Sequence, residues 1–307
     1  MVYKGKLRLH NGSMFLETDT GERLLEGYRI WQGYIIHWRD QSVCVRMLPQ
    51  KDYETHKPII IMWPDKPKTA TSFVEIYYNE RLVKYSTSTF GHNAINVNGE
   101  FFNFSHLINE NESMDEAEYM YRPALGEFAM SPHTGKYQIM GDGTAYLDKF
   151  GRNFMRTIHV IRVEGMDIDR LAEINRHELK KIHATTPDPK EPEKYRDFNF
   201  LKRSCTTIIR DSLKKYGFSS IKGILPRDFF ISAALELIKA QETFDIKVKL
   251  YKRAQLKVPE APFSKQTPIF NPINWVRSSK LPKMKKKCSK IFYLGSFGLS
   301  YVDVLRS

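Results

Sequence analysis

Cysteine is scarce in this chain: there are three in 307 residues, Cys44, Cys205 and Cys288, widely spaced and odd in number. That excludes a disulfide framework and a Cys-rich zinc module, so a cysteine that matters here acts as a thiol. Long apolar runs are missing too. None approaches the roughly 18 residues of a membrane-spanning helix, and the opening MVYKGKLRLHNG has no apolar core of secretory-signal length. The expectation is a protein with no transmembrane segment, made without a signal peptide. Negative charge is in deficit: 35 Asp and Glu against 48 Lys and Arg leave a net charge of +13. Such a potential favours an anionic partner, namely phospholipid headgroups, cell-wall polymer or nucleic acid. Nucleic acid is the least favoured of the three, because no reader motif for it occurs.

What is present divides into three parts. Residues 1–66 are a small N-terminal β domain, in which KLRL, SMFLET, GYIIHW, SVCVRML and PIIIMW are short strands with a turn at Asn11-Gly12. PDKP at 64–67 marks the boundary. Residues 67–252 form the main domain, with the strands SFVEIYY, HNAINV, EFFNFS, KYQIMG and TIHVIRVEG. Asp167 caps a helix whose Ile168, Leu171, Leu179 and Ile182 share one face. The Pro-rich TTPDPKEPEKY then forces extended chain. A second helix starts at Ser204-Cys205 and stops at Gly217, with Lys214 and Lys215 in its last turn. Pro226 opens a third, which buries Phe229, Phe230, Ala233, Ala234, Leu237 and Ile238. Residues 253–307 are a basic extension, with seven cations and no acids over 276–290 before an aromatic-rich end. Strands first and helices after give an α+β fold, an antiparallel sheet with packed helices.

Asn98-Gly99 lies between two strand-like runs, and a two-residue type I′ turn there fixes the register. Val97 faces Glu100, Asn96 faces Phe101, Ile95 faces Phe102, Ala94 faces Asn103 and His92 faces Ser105. Side chains alternate along a strand, so His92 and Asn103 share a face as diagonal neighbours about 7–8 Å apart. Ser105, directly across, is a second candidate to orient the imidazole, and His106 points away. Cys205 stands in the first turn of a helix, where free N–H groups and the dipole favour a thiolate. A free thiol titrates near ~8.5, so a nearby histidine is needed to make it a nucleophile at neutral pH. The expected unit is Cys205 as nucleophile, His92 as general base and then acid, and Asn103 holding the imidazole tautomer. The Cys205 backbone amide is one oxyanion donor. Ser105, Ser204 and Thr206 are further candidates to orient the site or bind substrate.

STSTFGHNAINVNGEFFNFS followed much later by YRDFNFLKRSCTTIIRDSL resembles the circularly permuted, papain-like branch of the NlpC-type cysteine hydrolases, which includes the lecithin retinol acyltransferase relatives. In that branch the histidine strand precedes the cysteine helix. The resemblance spans about residues 72–250. It carries the family's histidine to His92, its nucleophile to Cys205 and its polar third member to Asn103. Members often have Asn just before the nucleophile, where this chain has Ser204. The resemblance implies a papain-like core and a cysteine-dependent acyl hydrolase or acyltransferase that acts on membrane phospholipid esters without metal or cofactor. The alternatives are a peptidoglycan-cleaving cysteine peptidase or amidase, and a non-catalytic surface-binding module. A leaderless, basic envelope hydrolase also resembles toxins made in the bacterial cytoplasm and delivered to the envelope of target cells by a contact-dependent (type VI) machine. That analogy implies an immunity protein as a partner.

Other motifs carry less. His177-Glu178 begins like a zinc-peptidase signature, but His183 lies six positions on, and the expectation is a solvated helix face. Gly141-Asp142-Gly143 lacks the Lys-Ser/Thr of a phosphate loop and is expected to be a turn. Asp115, Glu116 and Glu118 are expected to decorate a mobile loop, and Cys44 to sit in a strand core. The Lys-rich stretch fits either a solvated segment or one lying on an anionic bilayer.

Overall fold

The computed structural model describes residues 1–25, 27–28, 38–52, 57–65, 72–82, 89–105, 111–121, 146–147, 153, 156–188, 191–253, 264–280, 291–295 and 298–300. KYQIMG, Gly141-Asp142-Gly143, His106, Cys288, most of GYIIHW and the basic run from 281 to 290 lie outside the described residues. The fold is α+β, and the chain forms two compact units: Met1–Ala70 with Ala117–Asn153, and Thr71–Glu116 with Phe154–Ser307. These are not the expected divisions 1–66, 67–252 and 253–307. Two pairings account for the difference. Strand β11 (Tyr146–Leu147) joins β4 (Ser42–Asp52) in parallel, which assigns part of the expected main domain to the N-terminal unit. Strand β17 (Ile291–Gly295) joins β15 (Lys247–Arg253) in parallel, so the C-terminal extension continues the second unit's sheet.

The N-terminal unit is a six-stranded sheet in the order β11-β4-β1-β2-β3, where β1 is Val2–His10, β2 Ser13–Glu17 and β3 Arg23–Leu24; β5 (Pro58–Pro64) also pairs with β4. The β1–β2 hairpin turns at Asn11 and Gly12, both at positive φ. Leu7, Leu16, Val43, Val45, Ile61 and Met62 are among its buried residues. Cys44 is buried there, 3.4 Å from Asp65 Oδ1.

The second unit centres on an eight-stranded sheet in the order β10-β9-β8-β6-β12-β15-β17-β18. Its further strands are β6 (Phe73–Asn79), β8 (His92–Val97), β9 (Glu100–Asn103), β10 (Glu112–Asp115), β12 (Ile158–Glu164) and β18 (Gly298–Ser300), and all its pairings except β15–β17 are antiparallel. The short strands β7 (Arg81–Leu82) and β16 (Ser264–Lys265) pair with each other, as do β13 (Pro187–Asp188) and β14 (Glu191–Tyr195). The Pro-rich stretch is thus extended, as its composition requires, but it also forms a hairpin. Helix α1 (Glu116–Tyr121) follows β10, so Asp115, Glu116 and Glu118 stand in regular structure rather than a loop. Glu116 pairs with Arg253, and Glu118 with Arg46.

Three helices cover one sheet face: α2 (Ile168–His183), α3 (Cys205–Tyr216) and α4 (Pro226–Lys239), the last followed by the single-turn α5 (Gln241–Phe244) and later by α6 (Pro272–Lys280). The periodic residues are buried where the 3.6 spacing puts them, with Leu171, Leu179 and Ile182 on α2, and Phe229, Ala233, Ala234 and Leu237 on α4. They meet Val74, Ile76, Ile95, Val97, Ile161 and Val163 from alternate strand positions. Asp167 caps α2 by accepting from the Arg170 N–H, and Gly217 ends α3 at φ 141°. On the other face Glu75 is buried, held by Arg162 Nη1 at 3.0 Å and by the hydroxyls of Tyr77 and Tyr251.

Candidate active site

Cys205 is the first residue of α3. Ser204, its N-cap, accepts from the Thr207 N–H and donates its own N–H to Thr207 Oγ1 at 2.8 Å, a closed capping box worth about 1 kcal/mol. Behind it, Ile208, Ile209 and Leu213 are fully buried against the core, on the order of 5–9 kcal/mol of apolar burial. The second figure dominates, so the packing of the whole helix, not local contacts of the thiol, fixes where Cys205 stands. Its backbone N–H has no acceptor within the helix, which leaves it free for an oxyanion.

The segment before the cap is tied down by a residue that sequence reasoning misassigned. Glu178 on α2 is not on a solvated face. It is buried, and its carboxylate receives Arg203 Nη1 at 3.1 Å, Lys215 Nζ at 2.6 Å and Lys181 Nζ at 3.3 Å. The Arg203 carbonyl in turn accepts from the Tyr195 hydroxyl at 2.8 Å. Burial works against the Glu178 charge, but Lys215 and Arg203 outweigh it and hold the carboxyl down at about 2.

His92 opens β8. The β8–β9 hairpin turns at Asn98 (φ 52°) and Gly99 (φ 100°), and its register pairs Val97 with Glu100, Asn96 with Phe101, Ile95 with Phe102 and Ala94 with Asn103, as the Asn-Gly turn requires. His92 Nε2 lies 2.6 Å from Asn103 Oδ1. An amide oxygen only accepts, so Nε2 carries the proton and Nδ1 is the basic nitrogen left for the thiol. Gly91 makes this entry possible: its φ is +74°, and a Cβ there would stand 2.4 Å from the Asn79 carbonyl oxygen. Beside His92, Asn93 ties strand to helix. Its Oδ1 accepts from Thr206 Oγ1 at 2.9 Å, its Nδ2 donates to the Tyr77 carbonyl, and its backbone N–H reaches the Cys205 thiol.

The two reactive groups shift each other. Burial alone would raise the Cys205 thiol, but the charge and hydrogen bond of His92, the Asn93 N–H and Thr206 together bring it below the ordinary 9.0. Burial would likewise lower His92, yet the Cys205 thiolate, its hydrogen bond and Asn103 raise the imidazole to about 9, against a smaller opposing effect of the buried Arg156. Each group thus favours the charged form of the other, thiolate at Cys205 and imidazolium at His92. Cys44 is the opposite case: burial, then its contact with Asp65, push that thiol up to about 11.

The remaining candidates take supporting places. Thr206 and Ser204 are buried, Ser204 as the N-cap of α3 and Thr206 bonded to Asn93. Ser105 lies beyond the last pair of the β8–β9 ladder, and its backbone N–H and C=O are both bound by the Asn111 side chain. The imidazole's partner on this hairpin is Asn103. Asn93 and Arg203 were not singled out by sequence, and Glu178 was read only as part of a solvated helix face. Asn93 was within reach, since strand alternation puts it opposite in facing to His92 and toward the helices. Among the described residues, no group of three or more His, Cys, Asp or Glu side chains is placed to hold a metal ion, and no helix is long and apolar enough to cross a membrane. Compared with protein-family models, curated proteins and solved structures, the chain matches none.

Proposed function

We propose that the chain is a cysteine-dependent acyl hydrolase or acyltransferase of the papain-like, permuted NlpC type, acting on membrane phospholipid esters. The observation that carries this reading is that one imidazole engages both the thiol at the start of α3 and, at 2.6 Å, the Asn103 amide oxygen. In the proposed cycle the Cys205 thiolate attacks the ester carbonyl, and the tetrahedral oxyanion meets the Cys205 N–H. His92 gives its Nδ1 proton to the departing alcohol as the C–O bond breaks, which leaves a thioester on Cys205. The now neutral His92 takes a proton from water or an acceptor alcohol, which attacks the thioester carbonyl and releases the acyl group as acid or ester. No redox partner or metal enters the balance.

Lipid is preferred to peptidoglycan because Phe90, two residues before His92, packs against other aromatics, with ring centroids 5.4 Å from Phe200 and 6.1 Å from Phe270. Such rings suit an acyl chain better than a polar glycopeptide. The charge of +13 suits an anionic bilayer. Delivery as a toxin against other bacteria, with an immunity protein as partner, goes with this reading by analogy only. The test is incubation of the purified protein with phospholipid vesicles and, separately, with peptidoglycan. Fatty acid released from the vesicles, and lost in Cys205→Ala and His92→Ala, is the expected result. New peptide fragments from peptidoglycan with no fatty acid would transfer the assignment to a cell-wall peptidase. Neither activity, with Cys205 no more thiol-reactive than Cys44, would leave a binding module.

A further inference from the structure

Helix α6 is built inside out. A helix at a protein surface turns its apolar stripe inward and its polar residues to water. Here Asn274 is fully buried, while Ile273, Trp275 and Val276 are 61%, 62% and 56% exposed. The inward polar anchoring is extensive. Buried Asp228, in the first turn of α4, accepts from the Phe270 and Asn271 N–H groups, each at 3.2 Å, and from Asn274 Nδ2 at 2.7 Å. The Thr267 carbonyl is bound by Arg227, and the Thr267 N–H donates to the Tyr78 hydroxyl at 3.0 Å. The outward apolar face is therefore fixed in place by its polar side.

Two details show what that face suits. The one polar atom of the Trp275 side chain, Nε1–H, already donates to the Ile269 carbonyl at 2.9 Å, so the indole can enter an apolar medium without leaving a donor unpaired. The apolar surface also continues to the dyad: Phe270 and Phe200 are both exposed, and both meet Phe90, which leads into His92. Charge selects the occupant. Residues 264–290 contain eight Lys and Arg and no Asp or Glu, and exposed Lys222 flanks the helix, its backbone N–H held by the same Ser232 hydroxyl that Arg277 reaches. A second copy would bring together two chains that each carry a net charge of +13. An anionic lipid surface complements that charge and accepts the tryptophan at its interface.

We propose that this face of α6, with Phe270 and Phe200, docks the protein on an anionic phospholipid bilayer and so brings the Cys205–His92 pair to its substrate. The proposal rests on the lipid-ester reading above for its purpose, and on the exposed anchored helix for its place. The test uses the full chain carrying Cys205→Ala, so that lipid is not consumed, with vesicles of phosphatidylglycerol and phosphatidylcholine or of phosphatidylcholine alone. Bromine-labelled acyl chains report tryptophan depth. Binding to the anionic vesicles that weakens with salt is expected, with quenching that disappears in Trp275→Phe, a change small enough to keep the fold. Ile273→Asp with Val276→Asp should weaken binding by at least about tenfold, since each such side chain is worth roughly a factor of ten when buried. Equal quenching with and without Trp275, or equal binding by the double variant, would overturn the proposal. So would a vesicle-free dimer, or a complex with an acidic protein, that buries Trp275. Docking of this kind without any Cys205-dependent release of fatty acid from the same vesicles would support the docking face while overturning the lipid-hydrolase reading.

Discussion

Replacing Glu178 by glutamine isolates the charge that tethers the approach to Cys205. The carboxylate is 6% exposed and receives three cations, while glutamine keeps its shape and removes its charge. In the folded protein its carboxyl titrates at about 2 instead of 4.5. A depressed carboxyl contributes stability that is complete above its unfolded value and is lost as pH falls toward its folded one, here between about 4.5 and 2. A drop of that size corresponds to about 3 kcal/mol at pH 7, and the half-exposed Lys181 and Lys215 reduce it to roughly 2 kcal/mol through solvent screening. Among the described residues the longer helices all lie in the second unit, so urea unfolding followed by the far-UV helical signal reads that unit. The expected result is a gap of roughly 2 kcal/mol between wild type and Glu178→Gln at pH 7 that narrows to about half by pH 3. A gap of the same size at both pH values, or none at pH 7, would refute the argument that these ion pairs hold the segment.

Gly91→Ala should cost about 1–2 kcal/mol from its positive φ alone, with more from the contact on the Asn79 carbonyl oxygen. Because the displaced residue is next to His92, activity should fall further than the melting temperature suggests, and equal activity would contradict this. Asn103→Ala leaves nucleophile and base in place, so hydrolysis should fall about ten- to a hundredfold rather than vanish, measured beside a Cys205→Ala blank. The loss of that acceptor should also lower the His92 titration below about 9, seen as an alkaline limb of the rate profile that moves to lower pH.

The parts of the fold visible in the sequence are those governed by local chemistry. Asn98-Gly99 demands positive φ at two positions and so dictates the β8–β9 register, and Asp167, Ser204 and Gly217 set helix ends through caps. Long-range pairing is where sequence reasoning stops. The parallel additions of β11 to β4 and of β17 to β15 leave no periodic mark, and they place both units' boundaries where composition does not. Glu178 shows the same limit: at a helical position it is indistinguishable from a solvated glutamate until Arg203 and Lys215 converge on it from another helix and the loop before it. Glu75, in the middle of the apolar SFVEIYY run, is likewise explained only by Arg162 on the neighbouring β12, Tyr77 on its own strand and Tyr251 on β15.

The central claim is that Cys205 and His92 form a thiolate–imidazolium pair, and the rate of Cys205 alkylation by iodoacetamide as a function of pH, followed on the isolated Cys205 peptide, tests it most directly. The account predicts rapid labelling that persists below the range of an ordinary free thiol, and a shift of that profile to high pH in His92→Ala, while Cys44 stays slow throughout. A Cys205 profile that rises only near or above pH 9.0 and is unmoved by His92→Ala would contradict it.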